Sequence, residues 1–414
     1  MSIAELEARI DKISAEIVRQ KEVLKNLQRS KSIAQRDLNA IRDPVARLPL
    51  EISSEIFIQC LPSDPEPDPR HAPYAVSDHI ALATTELWAS INLDDQRSGP
   101  ASLLETWLKR AGSRALSISL PHRITGEISA VIGRHADRLR DLKMYHDDDD
   151  ISLISTAGFP FLEILTMSGV DTDRFNCSTI GTINILRACS NLVQCTFDNV
   201  FCYDGYAEGI LVFPRVRSLN FGKYPMGYGD DSILRHITLP GLQTLCISLN
   251  DIKPQDLLRF VSRSLPLLRQ IVMGDTGWPE WTRDELEECL SLLPTLTHFE
   301  LFNPRWATLN HFIAILAGSP HLPPNLSTVT LRLAHSPARL WHQNLLHALL
   351  ARSKQLHVVR VIWDGGSEGP PEDVAIQLRQ LVADGMSIHV GTQDRNLFKV
   401  PFPSYNLTLT VTDD

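Results

Sequence analysis

The sequence is short of the features that announce membrane insertion, secretion or bond chemistry. No stretch approaches the roughly 18 uninterrupted apolar residues of a bilayer span, and the N-terminus has no apolar core followed by a cleavage site, so neither a membrane segment nor a signal peptide is expected. There are seven cysteines, an odd number, with no C-x-x-C pair. They read as reduced thiols, several of them buried, in a protein of the cytoplasm or nucleus. No G-x-x-x-x-G-K-[ST] or G-x-G-x-x-G occurs, so the sequence offers no phosphate cradle, and no cofactor is expected. Basic residues are outnumbered, 40 Lys and Arg against 49 Asp and Glu. A net charge of −9 argues against a general nucleic-acid binder, which needs a cationic face for phosphates.

Metal-binding patterns are also missing. Asp147–Asp150 is an acidic run without the spaced oxygen ligands and glycine of a calcium loop, and reads as a solvated loop. His335, His342 and His347 form the densest histidine group but fit no zinc spacing with cysteines. The expectation is a chain with no metal site and no catalytic residues.

What is present is a folded composition, 43% hydrophobic and 21% charged over 414 residues. Residues 2–42 carry a heptad pattern. Ile3, Ile10, Ile17, Leu24 and Leu38 fall seven or fourteen apart, and Leu6, Ile13, Leu27, Ala34 and Ile41 fill the complementary set. Gln20 and Lys31 interrupt the two series. A strip of period 3.5 keeps one helix face against a partner helix, so residues 1–43 read as a coiled-coil helix, and residues 3–41 could make a homodimer. An amphipathic helix folded back on its own chain is the alternative. Asp43-Pro44 ends the segment.

The next stretch, Ala46 to Leu61, is ARLPLEISSEIFIQCL. Pro49 suits the first turn of a helix. Ile52, Ile56 and Cys60 lie four apart, with Phe57 and Leu61 beside them, so the helix has a wide apolar stripe that needs a cover. The run Leu48-Pro49-Leu50-Glu51-Ile52, then Ile56-Phe57 and Cys60-Leu61, resembles the first helix of an F-box, and its setting resembles the F-box proteins expanded in basidiomycete fungi. Residues 79–91, with Trp88, look like the end of that module. Between the two, Tyr74–Asp78 stands where family members carry another apolar segment with its own Trp, so the module spanning 44–93 is shortened in the middle. The resemblance implies docking on an SKP-family adaptor, and through it on a cullin. Leu48, Pro49, Ile52, Ile56, Phe57, Cys60 and Leu61 would form the adaptor face, with Trp88 in support.

Residues 94–113 read as a linker helix through Leu103, Leu104, Trp107 and Leu108, ended by Gly112. The character then changes. An L-x-x-L-x-L pattern recurs nine times, from Leu139-Leu142-Met144 to Leu356-Val359-Val361. Ala115-Ile118-Leu120 precedes the set and Ile388-Val390 ends it. Near-constant spacing favours a leucine-rich-repeat-like solenoid over 114–392, with one parallel strand per repeat, above an ordinary compact α/β domain. Residues 393–414, ending in the alternating Tyr405–Val411, would be a cap or tail.

The fold class is therefore α/β: a coiled-coil helix, a small helical F-box, and an irregular repeat solenoid. The expected function is a non-catalytic substrate-recognition adaptor of an SKP–cullin–F-box ubiquitin ligase, its repeats binding an unknown protein substrate. The alternative is a repeat scaffold dimerised by the coiled coil, with a degenerate F-box. Tyr145, Lys223, Asn250, Trp278, Trp281, Arg332 and Trp363 fall on strand or post-strand positions where a bound protein would be met, and are the candidate substrate residues.

Overall fold

In the computed structural model the described residues are 9, 12–13, 16–17, 19–28, 30–32 and 34, then 85–93, 100–120, 125–145, 158–168, 176–177, 179–198, 201–202, 209–222, 231–248, 253–274, 281–319, 322–337, 339–364, 369–394 and 396–397. The F-box-like run Leu48–Leu61, the acidic run at 147–150 and the Tyr405–Val411 segment lie outside them. The chain divides into two compact units, residues 1–90 with 107–114, and residues 91–106 with 115–414.

In the first unit, the described residues between Arg9 and Ala34 are helical and exposed. Thr85–Trp88 forms one 3-10 turn. Helix α1, Pro100–Arg110, ends in this unit. Gly112 follows it at φ +59°, a left-handed conformation that costs an L side chain a clash and costs glycine none.

The second unit is built on one twelve-stranded sheet whose spatial order follows the sequence. Its strands are β1 Ser90–Asn92, β2 Leu116–Ser119, β3 Leu139–Tyr145, β4 Ile164–Ser168, β5 Gln194–Asp198 and β6 Ser218–Phe221. They continue as β7 Thr244–Ser248, β8 Gln270–Gly274, β9 His298–Phe302, β10 Thr328–Leu333, β11 Val358–Trp363 and β12 Ser387–Gly391. Neighbouring strands from β2 to β12 run parallel. Parallel neighbours cannot be joined by a tight hairpin, so every return crosses outside the sheet. Helices α2 Gly126–Arg134, α3 Thr179–Ala188, α4 Pro254–Ser264, α5 Arg283–Ser291, α6 Trp306–Gly318, α7 Arg339–Ala351 and α8 Glu372–Ala383 lie in those returns. The sheet begins earlier than residue 114. Ile91 and Leu93 are buried, and Leu93 donates its N–H to the Ser119 carbonyl at 3.0 Å, which recruits β1 from a stretch expected to close the helical module.

The repeat pattern fixes the register. Ile118, Leu142, Leu165, Cys195, Leu219, Leu245, Ile271, Phe299, Val329, Val359 and Ile388 are Cα partners strand to strand, in one row across the sheet. All are buried, as are the residues two further on in each strand. Alternate residues of a strand point to opposite faces, so a one-residue slip would turn the whole row to solvent. At roughly 1.5–3 kcal/mol for each buried large apolar side chain, this row and its neighbours supply the main stabilisation of the array. Interval length alone does not set the return: intervals of 28 to 30 hold the helices α3, α5, α6, α7 and α8, but of the two 26-residue intervals the one after Leu219 holds a five-residue 3-10 turn, Asp231–Arg235, and the one after Leu245 holds the eleven-residue α4.

The turns before the strands bind each repeat to the last. Asn191 donates its side-chain amide to the Pro160 carbonyl, Asn325 to Pro294 O at 2.9 Å, and Gln355 to Pro323 O at 2.6 Å. Helix starts are local. Thr282 and Glu285 make a reciprocal capping box on α5, Thr125 caps α2, and Pro254 opens α4. After the last strand, Asn396 pairs with Gly391 and Leu397 donates to the Val390 carbonyl at 3.0 Å, covering part of the exposed edge.

Candidate protein-recognition face

The apolar row faces the helices. The residues between its members therefore occupy the opposite, open face of the sheet. Their central row reads Lys143, Thr166, Thr196, Asn220, Cys246, Val272, Glu300, Thr330, Arg360 and His389, again in register. It is polar at nearly every strand, where the opposite face is apolar throughout.

Two zones differ. On β6 to β8 the open-face side chains Ser218, Asn220, Cys246 and Val272 are buried. Asn220 Oδ1 and Ser218 Oγ have no hydrogen-bond partner. A buried acceptor without a donor costs its desolvation, about 1–3 kcal/mol. Burial, and then the Glu300 carboxylate, push the Cys246 thiol up to about 12, so it is a neutral thiol and no nucleophile at neutral pH.

On β9 to β12 the face is charged. Arg332 Nε donates to Glu300 Oε1 at 2.6 Å, and both side chains are largely shielded. Arg360 stands on the next strand. His389 is buried, and its Nε2 lies 2.9 Å from the Thr392 carbonyl. Burial, reinforced by the Arg360 charge and opposed by the Thr392 contact, holds its pKa below the usual histidine value. Phe302 and Ile362 are half-buried beside this charged set.

The candidate residues fare differently. Arg332 is on this face, half-buried and ion-paired. Tyr145 ends β3 opposite Ser168. Lys223, Asn250 and Trp278 lie outside the described residues, as do Leu48, Pro49, Ile52, Ile56, Phe57, Cys60 and Leu61. Trp363 and Trp281 are corrections. Trp363 shares the parity of Val359 and Val361, so it points into the core and is 3% exposed. Trp281 is 1% exposed beside the N-cap of α5, with its carbonyl 3.0 Å from His311 Nδ1. Neither can meet a bound protein without unpacking. Thr330 and His389 share the parity of the open face and are themselves buried. Their signal was available, because each sits between two buried members of an L-x-L pair.

Trp88 is half-buried in the first unit. Its ring centre is 6.5 Å from that of Trp107 and 4.7 Å from the Arg110 guanidinium. Arg114 Nε reaches Thr85 Oγ1 at 3.4 Å. The tilted ring contact and the cation–π contact hold the 3-10 turn on the end of α1.

A second concavity is a structural network. A cleft of about 570 Å3 is lined by Arg235, Lys253, Gln255, Asp256, Arg259 and Arg263. Asp256 takes Arg235 at 2.8 Å and Arg259 at 3.6 Å, while Arg263 donates to Thr238 Oγ1 and to the carbonyls of Leu234 and Ile237. Among the described residues no group of three His, Cys, Asp or Glu is placed to hold a metal ion, and no helix is long and apolar enough to cross a membrane.

A sequential parallel sheet, one strand and one outer return per repeat, with a buried row on one face and a polar row on the other, defines a solenoid of the leucine-rich-repeat type. No protein-family model and no curated protein sequence matches this chain. Two solved structures are similar at a distance. The leucine-rich repeat-containing protein LegL7 from Legionella pneumophila is 14% identical, over 71% of this chain and 98% of that one, with a TM-score of 0.38. A chain of the Rad7 and Elc1 complex in yeast is 13% identical, over 95% of this chain and 99% of that one, with a TM-score of 0.33. At these scores neither likeness carries an argument about function.

Proposed function

We propose that this chain is a non-catalytic substrate-recognition adaptor of an SKP–cullin–F-box ubiquitin ligase. One end holds the ligase and the open face of the sheet holds a protein substrate, so that the two meet at high effective concentration. The observation that carries the reading is the combination on one chain of the F-box-like run Leu48–Leu61 and a repeat sheet with one polar, partly unsatisfied face. The packing of Trp88 on α1 supports it, since an F-box-like end needs a fixed hydrophobic close.

Affinity purification from a eukaryotic cell expressing the full chain tests it. The SKP-family adaptor should co-purify. Ile56→Asp with Phe57→Asp should abolish its recovery and leave the circular-dichroism spectrum unchanged. Equal recovery with the double variant overturns the reading.

A further inference from the structure

The described part of the N-terminal helix carries large apolar side chains in open solvent. Ile13, Ile17, Leu24 and Leu27 are each about half exposed or more. Between them runs a groove of about 350 Å3, lined by Ile13, Glu16, Ile17, Gln20, Lys21 and Leu24. In the heptad these are positions d, g, a, d, e and a.

That set has a specific geometry. In a parallel two-stranded coiled coil, an a side chain enters a hole made by d, g, a and d of its partner, and a d side chain enters a hole made by a, d, e and a. The groove contains both holes. Ile13, Glu16, Ile17 and Gln20 make the first; Ile17, Gln20, Lys21 and Leu24 make the second. We infer that the groove is the seat of Ile17 and Gln20 of a second copy of this chain, aligned parallel and in register.

Two further features favour a second copy over another partner. Pairing g with the e position five residues on, the parallel arrangement sets each Glu16 against the other chain's Lys21, so one helix supplies both signs. An antiparallel pair sets g against g and e against e, which separates Glu16 from Lys21. Gln20 meets its own equivalent, and a carboxamide is both donor and acceptor, so the pair satisfies itself at an apolar seam. The Glu16 carboxylate already stands at the rim of the groove, where its Oε1 receives Gln20 Nε2 at 2.6 Å and Arg19 at 3.0 Å. The inference rests on this helix alone and is independent of the ligase reading: loss of adaptor capture leaves it untouched.

Sedimentation equilibrium of the full chain tests it. The wild type should sediment at twice 46.4 kDa, and Ile17→Asp at 46.4 kDa. Glu16→Lys should weaken the dimer roughly fivefold, and adding Lys21→Glu should restore it. Gln20→Cys should give, on mild oxidation, a reducible band of doubled mass that the wild type does not give. A wild type that stays at 46.4 kDa at all concentrations, or a dimer undisturbed by Ile17→Asp, overturns the interface. A Gln20→Cys dimer that does not cross-link, or a charge swap that does not restore, overturns the parallel alignment.

Discussion

Arg332 Nε lies 2.6 Å from Glu300 Oε1 across adjacent strands of the open face. Glu300 is paired in register with Thr330, so Arg332 reaches back diagonally to find it. Side-chain exposures of 22% and 13% make the pair mostly shielded, where removing one partner costs more than removing both. Arg332→Ala should therefore destabilise the array by about 1–3 kcal/mol. Adding Glu300→Gln should recover part of the loss. Urea unfolding of the four members of the cycle reads both effects, and additive losses would show that the two groups are not coupled.

Phe299 belongs to the buried row, and its ring stacks on Phe312 of α6 with centres 4.5 Å apart. The contact ties one strand to its own return helix. Phe299→Ala should cost about 3–5 kcal/mol, the usual range for truncating a buried aromatic. A repeat array couples mainly to nearest neighbours, so hydrogen-exchange protection should fall most in β8 to β10 and least in β2 to β4. A uniform loss over the whole sheet would contradict the solenoid description.

Four thiols are shielded. Burial pushes Cys189 and Cys289 up to about 12, Cys246 likewise with help from Glu300, and Cys195 upward as well. A thiol without thiolate character reacts slowly. Of the seven cysteines, at most three should react quickly with a thiol reagent at pH 7 in the folded protein, and all seven after unfolding. Rapid native reaction of a fourth would mean that the core around these positions opens.

The sheet was legible in the sequence because one residue in each repeat, the second apolar position, repeats the same parity. In all nine L-x-x-L-x-L matches the second and third positions fall on strands and are buried. The same parity decided Trp363. Two residues beyond Val361, it must face the core, whatever the usual surface role of a Trp after a strand. Trp281 was not legible in this way. Its burial comes from its place against the capped start of α5, a tertiary relation that spacing does not report. Nor did residue type betray the burial of Asn220. Its parity places it on the polar open face, yet it is 5% exposed.

His342 is the clearest titrating group of the array. It is 2% exposed on α7, its ring meets Trp341 edge-on at 5.6 Å, and neither ring nitrogen has a hydrogen-bond partner. Burial holds its pKa below 6.5, the value expected of the unfolded chain, and the same sign applies to His389. Below pH 6.5 the unfolded state therefore binds protons that the folded state refuses. Stability is full above that pH and falls as the solution is acidified through it. The melting temperature should be lower at pH 5.5 than at pH 7.5. His342→Leu, which keeps an apolar side chain in the same space and removes the titration, should narrow that difference. An unchanged difference in the variant would exclude His342 as a source of the acid sensitivity. A wild-type melting temperature that is the same at both pH values would exclude the buried histidines altogether.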